Sequence, residues 1–246
     1  YVGVKPDKNF YEQGDGVELE VVTVDIEGEP VYGKDVQLAF ARLDWQKVRG
    51  KWREVELAPL TCEMISSVKA KPCVFEPAEG GRFRVIARAE DTEGRPAQTS
   101  FELWISGGQY KAAPQRNVEM EQLTLIPDHE SYQPGDSASI LVQSPFWPGE
   151  ATMQLRRNGI LETQRFTLDG PTKIIELPIT EGHIPNFHLE IDVVGSAERR
   201  DDDGNPMPDK ARRVAFASGG LNIAVPPLQR TLEVSVSPRQ PMLNPG

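Results

Sequence analysis

The chain is poor in the residues that most often perform chemistry. Among 246 residues there are two cysteines and three histidines. The histidines, His129, His183 and His188, have no companions at catalytic or metal-binding spacing. His183 and His188 lie five apart across Pro185, which is not the one-turn helical pair of a zinc protease. There is no G-x-S-x-G elbow, no phosphate-cradling glycine loop and no dinucleotide fingerprint. Acidic pairs abound, but carboxylates act as acid and base only across a shared pocket, and nothing in the sequence builds one. The expectation is that the chain is not an enzyme and takes no cofactor or metal.

Basic charge is also scarce. Lys and Arg number 27 against 37 Asp and Glu, giving a formal net charge of −10. Both halves are acidic, with 14 basic and 19 acidic residues in 1–107 and 11 and 17 in 108–228. No basic stripe is present to follow a phosphate backbone, so no nucleic-acid partner is expected. Apolar runs fall short of the roughly 20 residues that a bilayer crossing needs, and no membrane contact is expected. The first residue is Tyr1 rather than Met, and no leader precedes it, so the natural chain is expected to begin further upstream.

Helical periodicity is nearly missing, and short alternating runs take its place. Val17-Leu19-Val21, Val36-Leu38-Phe40 and Phe83-Val85-Ala87-Ala89 come first, then Ala138-Ile140-Val142 and Leu189-Ile191-Val193. That is the period of strands burying one face. Turn signals at Gly14-Asp15, Glu27-Gly28-Glu29, Gly50, Gly80-Gly81 and Glu93-Gly94-Arg95-Pro96 separate the runs. The predicted fold class is all-β: two tandem, seven-stranded Ig-like sandwiches.

A repeated phrase marks where each module begins. Val4 to Asp15 reads VKPDKNFYEQGD, Ile126 to Asp136 reads IPDHESYQPGD, and Val236 to Gly246 reads VSPRQPMLNPG. Pro6, Tyr11, Gly14 and Asp15 recur 121 positions later as Pro127, Tyr132, Gly135 and Asp136. A strand runs into a proline that cannot donate to a ladder, a large ring plugs the core, and a Gly-Asp turn launches the next strand. The boundaries expected are 1–107 for the first sandwich, 108–118 for a linker of small and polar residues and 119–228 for the second sandwich. Residues 229–246 are expected to open a third module, so the chain reads as an excerpt from a longer array.

Cys62 and Cys73 sit in one stretch, TCEMISSVKAKPC. A local disulfide and two unpaired buried thiols are both open readings; a bridge would suit an extracytoplasmic β-protein. The charged run Glu198 to Pro206 holds three adjacent aspartates but not the alternating ligands and sixth-place glycine of an EF-hand, and a solvated loop is expected. Of the four tryptophans, Trp45, Trp52 and Trp104 fall in or beside strands. Trp147, in SPFWPG, is the one placed to present a ring to a carbohydrate.

Phrases in the second module resemble a known family when taken in order. They are Tyr132-Gln133-Pro134-Gly135-Asp136, Ser144-Pro145-Phe146, Arg157-Asn158-Gly159-Ile160-Leu161, Leu177-Pro178-Ile179 and Ile184-Pro185-Asn186-Phe187. This succession is similar to a macroglobulin-like domain of bacterial alpha-2-macroglobulins. The first module resembles the family through Tyr11, Gly14-Asp15 and the stretch from Phe75-Glu76-Pro77 to Glu93-Gly94-Arg95. The resemblance implies that 1–107 and 119–228 are the fourth and fifth such domains and that 229–246 starts the sixth. It also implies a scaffold role in a broad-spectrum endopeptidase trap, partnered by the rest of the parent chain and, through the full-length protein, by target endopeptidases. The location implied is periplasmic or extracellular, with a lipid anchor on the parent as an option. The family's thioester motif, Cys-x-Glu-Gln, is not met by Cys62-Glu63-Met64-Ile65, and the bait is expected beyond Gly246. Two other classes stay open: Ig-like stalk modules of a bacterial adhesin, and a carbohydrate-binding accessory module.

Overall fold

A computed structural model describes residues 1–107, 121–201, 205–228, 234, 235 and 237. The expected linker 108–118 lies outside the described residues. So do nearly all of 229–246 and, apart from Ser237, the third copy of the repeated phrase.

The first unit contains β1 (Val2–Pro6), β2 (Phe10–Tyr11), β3 (Val17–Thr23), β4 (Asp35–Val48), β5 (Lys51–Ile65), β6 (Lys71–Phe75), β7 (Gly81–Glu90) and β8 (Pro96–Ile105). The second contains β9 (Glu121–Gln122), β10 (Thr124–Pro127), β11 (Ser137–Gln143), β12 (Gly149–Arg156), β13 (Ile160–Leu168), β14 (Thr172–Pro178), β15 (Asn186–Ala197) and β16 (Arg213–Ala224). Among the described residues each unit therefore has seven strands of four residues or more and one of two residues. A single 3-10 turn, Glu181–His183, is the one helical element described.

Both units use one plan. A three-stranded sheet, β1-β3-β6 or β10-β11-β14, faces a five-stranded sheet, β2-β8-β7-β4-β5 or β13-β12-β15-β16-β9. Among the described residues, strands pair antiparallel except for the two short ones, β2 on β8 and β9 on β16, and an isolated Ser131–Ala224 bridge is also parallel. The alternating runs supply the facing side chains. Val17, Leu19, Val36, Leu38, Phe40 and Val85 are almost wholly buried in the first unit, as are Ala138, Ile140, Val142, Leu189 and Ile191 in the second. One cluster draws on residues 2 to 105 and the other on residues 123 to 225, so each sandwich is filled by its own side chains. In the first, Phe40 is stacked between Phe75 and Phe83, with ring centroids 5.0 and 4.7 Å away. One aromatic column thus pins both layers.

The β4–β5 hairpin runs on past the core, to a two-residue turn in which Arg49 and Gly50 both have positive φ. That is the mirror-image turn whose twist matches a hairpin. Cys62 on β5 and Cys73 on β6 form a disulfide, with Cα atoms 6.5 Å apart. Both strands are sheet edges, so the bond staples the two layers of the first sandwich together along one side.

Candidate functional site

The two copies of the repeated phrase build the same corner. Pro6 ends β1 and Pro127 ends β10. Tyr11 and Tyr132 then drop into their cores, 6% and 3% exposed. The hydroxyl of Tyr11 accepts the backbone N–H groups of Asp7 and Lys8 at 3.1 and 3.2 Å. That of Tyr132 accepts the N–H of His129 at 3.1 Å and donates to Asp128 Oδ1 at 2.7 Å. The following turns match: Asp15 N–H donates to Glu12 O at 3.1 Å and Asp136 N–H to Gln133 O at 3.0 Å. Gly14 and Gly135 sit at φ 97° and 102°, which an L side chain rarely adopts.

Burial pushes both phenols up, and for Tyr132 the bond to Asp128 adds to the effect. A buried hydroxyl facing a carboxylate loses more than it gains by ionising. Asp128 is itself buried and receives, besides Tyr132, the Ser139 N–H at 3.0 Å and the His129 ring at 2.8 Å. This carboxylate is a structural knot, fully occupied by neighbours in its own unit.

Around the second copy of this corner the two units meet. Phe10, Ile126 and Leu141 are buried together, with Trp104 and Ile174 packed against them. Asn9 lies at one end of the cluster: its N–H donates to Asp128 O at 3.0 Å and its Nδ2 to Pro127 O at 3.2 Å. At another point Gly107 N–H donates to Thr172 Oγ1 at 3.0 Å. The first unit contributes its β1–β2 loop, Phe10 of β2 and the end of β8, the second the outer face of β10-β11-β14. Sequence reasoning passed over Phe10, Leu141 and Ile174. The signal was present in the pairs Phe10-Tyr11, Ile140-Leu141 and Ile174-Ile175, where neighbouring apolar residues break the alternation and imply burial on both faces of a strand.

Elsewhere several acidic residues are matched by arginines. On the outer face of the first five-stranded sheet, Arg84 reaches Glu54 at 3.0 Å, Glu56 at 3.1 Å and Glu102 at 3.1 Å, while Arg82 pairs with Glu54 and Glu102. The Glu102 carboxylate raises the Arg84 guanidinium further. These carboxylates serve as counter-ions across strands. Near the β7–β8 turn, Asp91 is held down at about 2 by the backbone and guanidinium N–H groups of Arg95.

The histidines stand apart in role. His129 is bonded to Asp128, His183 is buried in the 3-10 turn and His188 lies on the outer side of β15. Among the described residues no group of His, Cys, Asp and Glu is arranged to hold a metal ion, and no helix is long and apolar enough to cross a membrane. At the charged loop, Asp201 accepts the backbone and side-chain N–H groups of Asn205 at 2.8 and 2.9 Å, and Met207 N–H donates to Arg199 O at 2.8 Å. The described ends of that run are thus tied to each other, while Glu198, Arg199, Arg200 and Pro206 remain exposed to solvent. Trp147 is half-buried, and its carbonyl accepts Arg212 Nη2 at 2.8 Å.

Comparison with known proteins adds an independent line. The sequence profile of the alpha-2-macroglobulin bait region domain matches residues 123–246. An alpha-2-macroglobulin homolog of Nostoc sp. is 23% identical over the whole of this chain, which spans 13% of that protein. A second, from Deinococcus radiodurans, is 24% identical over 71% of the chain and 18% of its own length. Among solved structures, the native conformation of E. coli alpha-2-macroglobulin is matched at 14% identity and a TM-score of 0.32, over 91% of this chain and 15% of that one. The chain therefore spans less than a fifth of the curated relatives it matches.

Proposed function

The chain belongs to the alpha-2-macroglobulin family, and from that premise we propose that it is a framework segment of a bacterial, broad-spectrum endopeptidase trap. Its two sandwiches act as macroglobulin-like domains, the fourth and fifth of the parent, and do no catalysis themselves. The observation that carries this reading is the profile match across 123–246, which spans the second sandwich and the residues after it. Because the matching profile is that of the bait region domain, the second sandwich is read as the frame of the domain that bears the bait.

The segment that a protease cuts is assigned outside the strands of 121–228. The strands between Glu121 and Ala224 are paired in ladders, and a protease needs an extended, accessible stretch. The mechanism is then positional: the sandwiches hold their places while the parent rearranges after cleavage. Partners are the remainder of the parent chain and, through it, the attacking endopeptidase. The Cys62–Cys73 bond supports a periplasmic or extracellular location, where disulfides persist.

The test is limited proteolysis of the parent protein with inhibition followed in parallel. Inhibition should track a single cut mapped outside 121–228, and the isolated 246-residue chain should not inhibit. An activating cut within the Glu198–Arg212 connection, or stoichiometric inhibition by the isolated chain, would overturn the assignment.

A further inference from the structure

Strand β11 points Ala138, Ile140 and Val142 into its own sandwich, so Ser139, Leu141 and Gln143 must point out of it. On a free sheet face they would be wet. Instead Leu141 is 0% and Gln143 1% exposed. The cover over Leu141 is Phe10 and Trp104 of the first unit, neighbours on the parallel pair β2 and β8. The Asn9 and Gly107 hydrogen bonds fasten the contact at two separate points, Asp128 and Thr172. One attachment permits rotation; two, with a dry cluster between them, do not.

The internal repeat supplies a comparison within the same molecule. Ser131 and Ala224 form the parallel bridge of the second unit that corresponds to Phe10 and Trp104 of the first. Serine and alanine therefore stand where the first unit carries its two aromatic rings, and Ser131 is exposed. The seat is not repeated either. The residue 121 positions before Leu141 is Glu20, exposed and charged on the outer face of β1-β3-β6. Among the described residues knob and seat occur once each, and they face one another.

We propose that the two sandwiches form a single mechanical body, locked by the Phe10–Trp104 knob on the Leu141–Ile174 seat. Among the described residues, the far end of the second unit carries Ser131 and Ala224 in place of the two rings. This holds whether or not the parent traps proteases. It differs from the usual behaviour of tandem domains, which move relative to one another unless their interface is large and apolar.

Spin labels at the exposed positions Thr92 and Thr163, introduced as T92C and T163C in the 246-residue chain, read the distance between units. The native joint should give one narrow distance peak. The pair Phe10→Ser with Trp104→Ala, which grafts the second unit's own end onto the first, should turn it into a broad distribution with strand content retained by circular dichroism. Leu141→Ser should do the same from the opposite side, which keeps the proposal testable should the double variant misfold. Val74→Ser, on the exposed three-stranded face of the first unit, should leave the peak narrow. A broad native distribution, or a narrow one in both joint variants, would overturn the proposal.

Discussion

The Tyr132 hydroxyl donates to Asp128 Oδ1 at 2.7 Å, whereas its counterpart Tyr11 accepts only backbone N–H groups, at 3.1 and 3.2 Å. The same corner is thus neutral in the first sandwich and charge-assisted in the second. Hydrogen bonds to charged groups contribute about 1.5–3 kcal/mol and neutral ones about 0.5–1.5. Tyr132→Phe should therefore cost the second unit more than Tyr11→Phe costs the first. Urea unfolding of the two variants measures both, and an equal or reversed order would count against the role given to Asp128.

The staple between β5 and β6 acts on one sandwich only. Its cysteines are 11 residues apart, and closing a loop of that size is worth about 3 kcal/mol in the chain-entropy account. Cys62→Ala with Cys73→Ala, or reduction of the native chain, should lower the stability of the first unit by roughly that amount. The protection of second-unit amides such as Ile191, followed by hydrogen exchange, should fall far less. Equal loss in both units would mean that the joint transmits unfolding as well as position.

The sandwiches were legible because half-buried strands must alternate, as at Val17-Leu19-Val21 and Leu189-Ile191-Val193, and because Pro and Gly-Asp punctuate them. The corner was legible for a related reason. Tyr11 and Tyr132 recur at one spacing with the same turn behind them, and only one use of that grammar fills a core. The joint was hidden by the same rule that exposed the rest. Reading Ala138-Ile140-Val142 as one buried face assigns Leu141 to solvent by default; the Ile140-Leu141 pair signals that something covers it, but not that the cover is Phe10, more than a hundred positions away. Likewise, the matching of Arg84 to Glu54, Glu56 and Glu102 depends on strand register, which charge counts do not contain.

Gly219 shows how β9 is held against β16. A Cβ at this position would lie 2.8 Å from Leu123 Cβ and 2.9 Å from Leu123 O, both closer than real side chains allow. Leu123 occupies the room that the missing side chain leaves. Gly219→Ala should cost the second unit about 1–3 kcal/mol through overpacking, whereas Gly170→Ala, whose nearest neighbour is Thr172 O at 4.0 Å, should change little. Thermal unfolding of the pair decides it, and an inert Gly219→Ala would mean that Leu123 can move aside.

His183 gives the second sandwich a dependence on pH. Its Nδ1 accepts the Thr180 N–H at 3.1 Å, and its ring lies 4.5 Å from that of Phe187. Burial lowers its pKa below the ordinary 6.5, because the imidazolium would be desolvated and would turn a proton toward a donor. Above 6.5 both folded and unfolded states hold a neutral ring, and the group adds no pH dependence. As pH falls below 6.5 the unfolded chain takes up the proton first, so stability declines until the folded-state pKa has been passed. His183→Asn, which keeps a side-chain acceptor near the Thr180 N–H but cannot titrate, should flatten that decline between pH 7 and 5. Urea midpoints across this range measure the slope, and an unchanged slope in the variant would assign the acid sensitivity to another group.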